Sequence, residues 1–408
     1  MTSNEIKALD AGCVMQTYGR LPVAIERGEG ATLYSPEGKQ YVDFTSGIGV
    51  NCIGYGNEKW AKAVYAQAMK LQHISNLFYS EPYVMLAKTL TERSGMKNVF
   101  FSNAGGEANE GMIKLARKYS FDKYGKGRST IISLVQSFHG RTITTLAATG
   151  QEAFHNYFFP FTEGFKHVPA NDIKALEDAL KEEPAIQGNI TSGEVCAVLI
   201  ELIQGEGGVL PLDPGYVKAV AELCEANDLL LLVDEVQTGV GRTGTLFAFQ
   251  QYGIAPDVVS FAKGIAGGLP MGGIMANEKC SGVFTPGTHA TTFGANPVAA
   301  AGACEVLNQL DEQALREVKN KGEYINNAIK SWKLPVVGEI RGMGLMIGVS
   351  LKGAAPKQVA GACADDGLLI LTAGSDALRL MPPLTITYGE IDKGLKILKT
   401  VLEGIDNG

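Results

Sequence analysis

Histidine is scarce, with five in 408 residues, and no His-Glu-x-x-His or similarly close ligand pair occurs. That removes the usual zinc-enzyme arrangement, and no metal is expected. A Gly-x-Ser-x-Gly nucleophile turn is missing, which argues against an α/β-hydrolase. The seven cysteines, at 13, 52, 196, 224, 280, 304 and 363, are odd in number and show no Cys-x-x-Cys spacing. Neither a disulfide framework nor a zinc site is suggested, and reduced thiols fit a cytoplasmic protein. No apolar run approaches the roughly 20 residues needed to span a bilayer. The opening MTSNEIKALD has no apolar stretch of the secretory kind. Positive charge is in deficit: the net charge is −7 and the pI about 5.4. Nucleic acid or an anionic membrane as main partner is therefore disfavoured, while a local basic pocket for a small acid stays open.

Apolar residues make up 45% of the chain and charged ones 19%, ordinary values for a soluble globular protein. The length allows two domains. The 50 glycines are the outlier, and they cluster at strand ends and loops. They suggest tight turns or places where backbone approaches a ligand.

Three short strands of an antiparallel sheet are expected early, at Pro22–Glu26, Ala31–Tyr34 and Gln40–Phe44. From about residue 57, helices alternate with apolar strands. Helices are expected at Lys59–Gln72, Tyr83–Arg93, from the SNAGGEANE phrase through Tyr119, and at Tyr216–Ala226. Strands are expected at Val99–Phe101, Thr130–Val135, Val195–Ile203, Leu229–Val233 and Val258–Phe261. The alternation predicts an α/β fold, a mostly parallel sheet with helices on both faces. After Asn296-Pro297 come an alanine-rich helix to about Leu310, a second to Trp332, and a mixed α+β remainder. The expected division is an N-terminal segment 1–50 joining the small domain, a large domain 51–300, and a C-terminal small domain 301–408.

Two of the strands end in chemistry. The run Leu229–Val233 stops at Asp234, at a strand's carboxyl end where open α/β sheets place ligands. The run through Phe261 stops at Lys263, between Ala262 and Gly264. An acid and an amine so placed suit pyridoxal phosphate, with Lys263 as its Schiff-base lysine and Asp234 as partner of its ring nitrogen.

Other phrases are weaker singly. Ser102–Asn109, SNAGGEAN, stands between a strand and a helix, where glycines and free N–H groups would suit a phosphate, although a plain capped turn reads the same way. Phe138 and Arg141 follow a strand, so a ring could stack on a planar cofactor and a guanidinium could grip a carboxylate. The simpler alternative is a core ring and a surface arginine. Glu201 is embedded in an apolar run and needs a partner. Arg379, also inside an apolar run, is the candidate, although a structural ion pair would read identically. Gly239–Gly244 matches G-x-G-x-x-G and raises a nicotinamide-dependent oxidoreductase, but the glycines neither follow the strand at once nor open a clear helix. Thr291 and Thr292 precede a glycine turn and could bind phosphate.

In order, SNAGGEANE, FHGRT, ELIQGEGG, DEVQTGVGRTG, FAKGIAGGLPMGG and TTFGANP closely resemble the class III aminotransferases, over nearly the whole chain from Tyr18 to Arg379. The resemblance implies a pyridoxal-phosphate-dependent transferase of fold type I, a homodimer with active sites at the subunit interface. It implies Lys263 and Asp234 in the roles above and Gln237 on the ring's phenolic oxygen. Phe138 would stack on the ring, Gly105 and Gly106 would hold the phosphate, and Thr292 of the neighbouring subunit would help them. Arg141 and Thr291 would contact substrate, with Tyr18 near them. Glu201 and Arg379 would form a pair that lets one site take both a side-chain amine and the second carboxylate of 2-oxoglutarate. TYGRLPVAIERGEG, EANE and ALRLMPPLTIT are most similar to the acetylornithine branch. That branch implies transfer of the side-chain amine of N2-acetyl-L-ornithine to 2-oxoglutarate in arginine biosynthesis. Ornithine, succinylornithine, succinyldiaminopimelate or 4-aminobutyrate as donor, an aminomutase, and an inactive cofactor-binding scaffold are the other readings. Two departures stand out: Ala104 replaces the family's serine before the phosphate glycines, with Gly106 where alanine is usual. Gly54–Glu58 reads GYGNE where the family has GHCHP.

Overall fold

The computed structural model describes residues 1–181, 186–187, 190–191 and 194–406. A seven-stranded sheet runs through its centre, in the order Asn98–Ser102, Gly272–Ala276, Val258–Phe261, Leu230–Asp234, Glu194–Ile200, Arg128–Leu134, Phe165–Val168. The last five strands pair in parallel, and Gly272–Ala276 runs against both of its neighbours. The fold is thus α/β, with a mostly parallel sheet.

Strand Leu230–Asp234 shows why these residues make such a sheet. All five are buried, and their side chains alternate between two apolar layers. Leu230 and Leu232 pack with Met112, Ile113 and Ala116 of helix Gly105–Tyr124. Leu231 and Val233 face the opposite layer, with Val217 and Val220 of helix Pro214–Ala226 and Val306 of helix Pro297–Gln309.

The expected elements shift at their ends. The first strand is Arg27–Glu29 rather than Pro22–Glu26, because pairing starts where Glu26 N–H donates to Tyr34 O and Pro22 has no N–H to offer. The expected strand Val195–Ile203 breaks after Ile200, and Ile203–Gln204 turns back to pair with Leu210–Pro211. Strands Phe165–Val168 and Gly272–Ala276 carry too little apolar signal to stand out in the sequence.

The two ends of the chain meet. Strands Arg27–Glu29, Thr32–Tyr34 and Gln40–Asp43 share a sheet with Leu368–Leu369. Met381 N–H donates to Phe44 O, and Glu390 accepts from Ala31 N–H. A second sheet, Val337–Met343, Met346–Leu351, Ala377–Leu380 and Leu371–Ala373, carries Arg379. The G-x-G-x-x-G loop does not support the dinucleotide reading. It opens no helix and lies buried under the C-terminal segment, where Leu345 N–H donates to Arg242 O. Among the described residues no helix is long and apolar enough to cross a membrane.

Candidate active site

A hollow of about 680 Å³ opens at the carboxyl ends of the parallel strands, and Gly105, Gly106, Phe138, Arg141, Glu201, Asp234, Gln237 and Lys263 all line it. Tyr18, Thr291, Thr292 and Arg379 lie outside that lining. Arg379 reaches it through Gln237, whose Oε1 accepts from Arg379 Nη1 at 3.1 Å. Thr291 touches it through Asn103, whose Nδ2 donates to Thr291 Oγ1 at 3.1 Å. Thr292 is exposed, and Tyr18 is 72% exposed with the Arg20 guanidinium over its ring.

Asp234 closes its strand and turns the chain by accepting from Val236 N–H with Oδ1 at 3.0 Å. Its Oδ2 accepts from Asn109 Nδ2 at 2.7 Å and meets His139 Nδ1 at 2.9 Å. A carboxylate only accepts, so His139 Nδ1 bears a proton and donates it. Ser260 Oγ approaches Oδ1 at 3.3 Å. Burial works to raise the pKa of Asp234, but the hydrogen bond and charge of His139, with the N–H of Val236 and Asn109, outweigh it, and the acid is held below its ordinary value.

Lys263 follows strand Val258–Phe261 through an extended Ala262 and has φ +46°, a left-handed conformation uncommon in lysine and frequent at functional sites. Burial pushes its amine down to about 8, opposed by Glu206, aided by Arg379 and opposed again by Asp234 and Glu201.

At the other side of the hollow, helix Gly105–Tyr124 begins without a side-chain cap, because Ala104 has no hydroxyl. Its first N–H groups and the positive end of its dipole are left for an anion. Gly105 is required by packing: a Cβ there would stand 2.8 Å from Val236 Cγ1.

The expected Glu201–Arg379 pair does not form. Arg379 Nη1 donates to Glu206 Oε1 at 2.7 Å, and Gln237 Nε2 donates to the same oxygen at 3.1 Å. Burial raises the pKa of Glu206, but Arg379 more than compensates and the net shift is downward. Gly205 makes room for this cluster, since a Cβ would fall 2.3 Å from Gln237 Oε1. Glu201 instead accepts from Phe138 N–H at 2.8 Å and Gly205 N–H at 3.2 Å, so it braces the backbone that presents the Phe138 ring. Burial pushes its carboxyl up to about 7, moderated by His139 and reinforced by Asp234. The strand has ended by Glu201, and a side chain at that turn reaches its own loop rather than a distant sheet.

Three partners escape the sequence reading: Glu206, His139 and Asn109. Asn109 stands one turn after Gly105 on the buried helix face that also carries Met112 and Ile113, and a lone amide there was the available signal.

The residues present fit pyridoxal phosphate. A phosphate would meet the uncapped helix start, a ring nitrogen would find an acid held ionised by protein donors, and a carbonyl would find an amine near neutrality.

The chain matches the family model for aminotransferase class III over residues 14–402. It is 50% identical over 403 residues to the acetylornithine aminotransferase of Haemophilus ducreyi, covering 98% of this chain and 99% of that protein. It is 45% identical over 395 residues to that of Caldanaerobacter subterraneus, covering 96% and 98%. An ornithine aminotransferase structure from Toxoplasma gondii, described with partial occupancy of pyridoxal phosphate at its active site, superposes with a TM-score of 0.93. It is 31% identical, and the match covers 100% of this chain and 95% of that one. The acetylornithine aminotransferase structure from Elizabethkingia anophelis gives a TM-score of 0.86 at 31% identity, over 99% of this chain and 100% of that one. With the family model spanning most of its length and the fold carrying these strand-end groups in one hollow, the chain belongs to the class III aminotransferases, which depend on pyridoxal phosphate.

Proposed function

We propose that the chain transfers the side-chain amine of N2-acetyl-L-ornithine to 2-oxoglutarate, yielding N-acetyl-L-glutamate 5-semialdehyde and L-glutamate. The observation that carries this reading is the joining, in one hollow, of an amine lowered to about 8 at Lys263 with an acid kept ionised at Asp234. The choice of donor is supported by relatives named acetylornithine aminotransferase at 50% and 45% identity.

Bound in the hollow, pyridoxal phosphate supplies a conjugated ring that accepts the electron pair left when a C–H bond beside the substrate nitrogen breaks. In this reading Lys263 Nζ would take the proton from the substrate carbon and deliver it across the nitrogen to the cofactor's C4′ carbon, a task suited to a base lowered toward neutrality. Asp234 would keep a proton on the ring nitrogen, which favours electron acceptance. Gly105 and Gly106 would hold the phosphate, Phe138 would stack on the ring and Gln237 would contact its phenolic oxygen. Arg141 receives a substrate carboxylate, and Thr291 and Tyr18 are the further substrate contacts of this reading. Glu206 is the partner that Arg379 exchanges. It neutralises the guanidinium while the amine donor is bound, and it yields to the second carboxylate of 2-oxoglutarate.

Thr292 contributes to a phosphate site only across a homodimer interface. Support for that arrangement comes from an apolar surface beside it, with Leu77 87% and Tyr79 93% exposed, and Asn76 tied to Gly294 O. A monomer in sedimentation equilibrium at micromolar concentration would contradict it. The seven cysteines are all free, which supports a cytoplasmic location.

A donor panel with 2-oxoglutarate and pyridoxal phosphate tests the reaction by glutamate release. Acetylornithine should have the highest kcat/KM, and Lys263→Ala should lose it by roughly 10²-fold or more. Preference for ornithine, favoured by the close superposition on ornithine aminotransferases, would replace the proposed donor. An active Lys263→Ala variant would overturn the role of the lysine.

A further inference from the structure

Phe154 sits at the end of a short 3-10 turn, Glu152–Phe154, and none of the proposed steps uses it. The Arg141 guanidinium lies over its ring, 4.1 Å from the centroid. The same guanidinium is 5.4 Å from the centroid of Phe138, and the two rings meet edge to face at 5.8 Å and 73°. Arg141 is exposed and, among the described residues, makes no hydrogen bond or ion pair, while its guanidinium lies against two aromatic rings. A guanidinium held by rings keeps all its N–H donors free, whereas a protein carboxylate in the same place would occupy them and cancel the charge.

The turn that carries Phe154 is itself fastened to the strand end that presents Phe138. Gly150 N–H donates to Ser137 Oγ at 3.0 Å, and Gln151 Nε2 donates to Ser137 O at 3.0 Å. His155 Nε2 stands 2.8 Å from Leu146 O. Gly150 lies so close to this strand end that a Cβ would come within 2.1 Å of Leu134 O. Phe154 is thereby set on the same scaffold as the ring beside the hollow, and the guanidinium rests against both.

We propose that Phe154 is a positioning residue that holds Arg141 ready for the α-carboxylate of the amine donor, so that the site selects amino acids over simple amines. This rests on the reading of Arg141 as a carboxylate receptor. The measurement is steady-state kinetics of the holoenzyme with N2-acetyl-L-ornithine and with its decarboxylated analogue, N-acetylputrescine. Phe154→Leu should raise KM for acetylornithine about three- to tenfold, in line with the strength of a cation–π contact. Its kcat, the absorption spectrum of the bound cofactor and the kcat/KM for N-acetylputrescine should stay near the parent values. Phe154→Tyr, which keeps the ring, should restore KM. In an Arg141→Met background, Phe154→Leu should add nothing further. An unchanged KM for acetylornithine, an equal loss with both donors, or additive losses in the double variant would overturn the proposal. If Arg141→Met weakens acetylornithine selectively while Phe154→Leu does not, only the role of Phe154 falls. If Arg141→Met also leaves KM unchanged, the carboxylate reading of Arg141 falls with it.

Discussion

Asp234 is an acid that burial would normally protonate, yet it is held ionised because every lone pair facing the protein has a donor. Asn109, His139, Ser260 and the Val236 N–H surround it. Asp234→Asn replaces one of those acceptor oxygens by a donor that faces donors, and it removes the charge. The variant should still bind pyridoxal phosphate through the helix start and Lys263, while kcat falls roughly 10²-fold or more. Near-parental turnover would exclude the ring-nitrogen role. Lys263 gives a second expectation. Its folded pKa of about 8 lies below the usual lysine value, so the reactive neutral amine grows as pH rises toward 8 and saturates above it. Covalent capture of pyridoxal phosphate by the cofactor-free chain, followed by stopped-flow absorbance, should climb through pH 7–8 and level off near 9. A rate still rising steeply at pH 10 would mean an unperturbed lysine. The two acids of ELIQGEGG mark the limit of reading from type and spacing. Both are visible in the sequence, but which one meets Arg379 depends on where the strand stops.

The helix Gly105–Tyr124 starts at a residue that cannot cap it, and the rest of the element explains how that is tolerated. Apolar residues such as Met112, Ile113 and Leu115 lock it to the sheet, and Glu107 accepts from Asn103 N–H beside its first turn. Ala104 has φ −154° and ψ 166°, the extended geometry of a capping position. Ala104→Ser should therefore stabilise the cofactor-free chain by about 1 kcal/mol. The gain should shrink once phosphate occupies the same N–H groups. Thermal melts with and without pyridoxal phosphate check this, and an equal gain in both states would argue that the phosphate lies elsewhere. This element was readable from its flanks: a strand before it, glycines at its start and a periodic apolar face. The antiparallel strand Gly272–Ala276 was not, because Gly272-Gly-Ile-Met-Ala has little β-branched character and is specified by the two strands it lies between.

At the scale of the molecule, Arg242 fastens distant parts of the chain. Arg242 is 2% exposed and, among the described residues, forms no ion pair; its guanidinium donates to the carbonyls of Leu345 and Pro382 and to Ser46 Oγ. Burial holds its pKa down at about 10. Ser46 follows the N-terminal sheet, and Leu345 and Pro382 flank the strands that carry Arg379. Arg242→Met would leave all three acceptors without their donor. A loss on the order of 3 kcal/mol is expected, read as a lower urea midpoint at constant m-value. An unchanged midpoint would show that the apolar interface alone joins these segments. The glycines around it, which match a nucleotide-binding spacing without its context, serve this closure: at Gly241, φ +84°, a Cβ would stand 3.1 Å from Leu315 and from Leu384.

Spacing and residue type were enough for the alternating sheet, the acid at 234, the amine at 263 and the glycines before the helix, because each depends on its immediate neighbours: a short buried run and the residue that ends it. The partner of Arg379, the bracing role of Glu201, the enclosure of Asp234 by His139 and Asn109, and the ring beneath Arg141 depended on the folded chain. Each joins residues separated by many positions, and a side chain chooses among several acceptors only when distance and burial rank them. Local pattern therefore located the chemistry, and three-dimensional proximity assigned its partners.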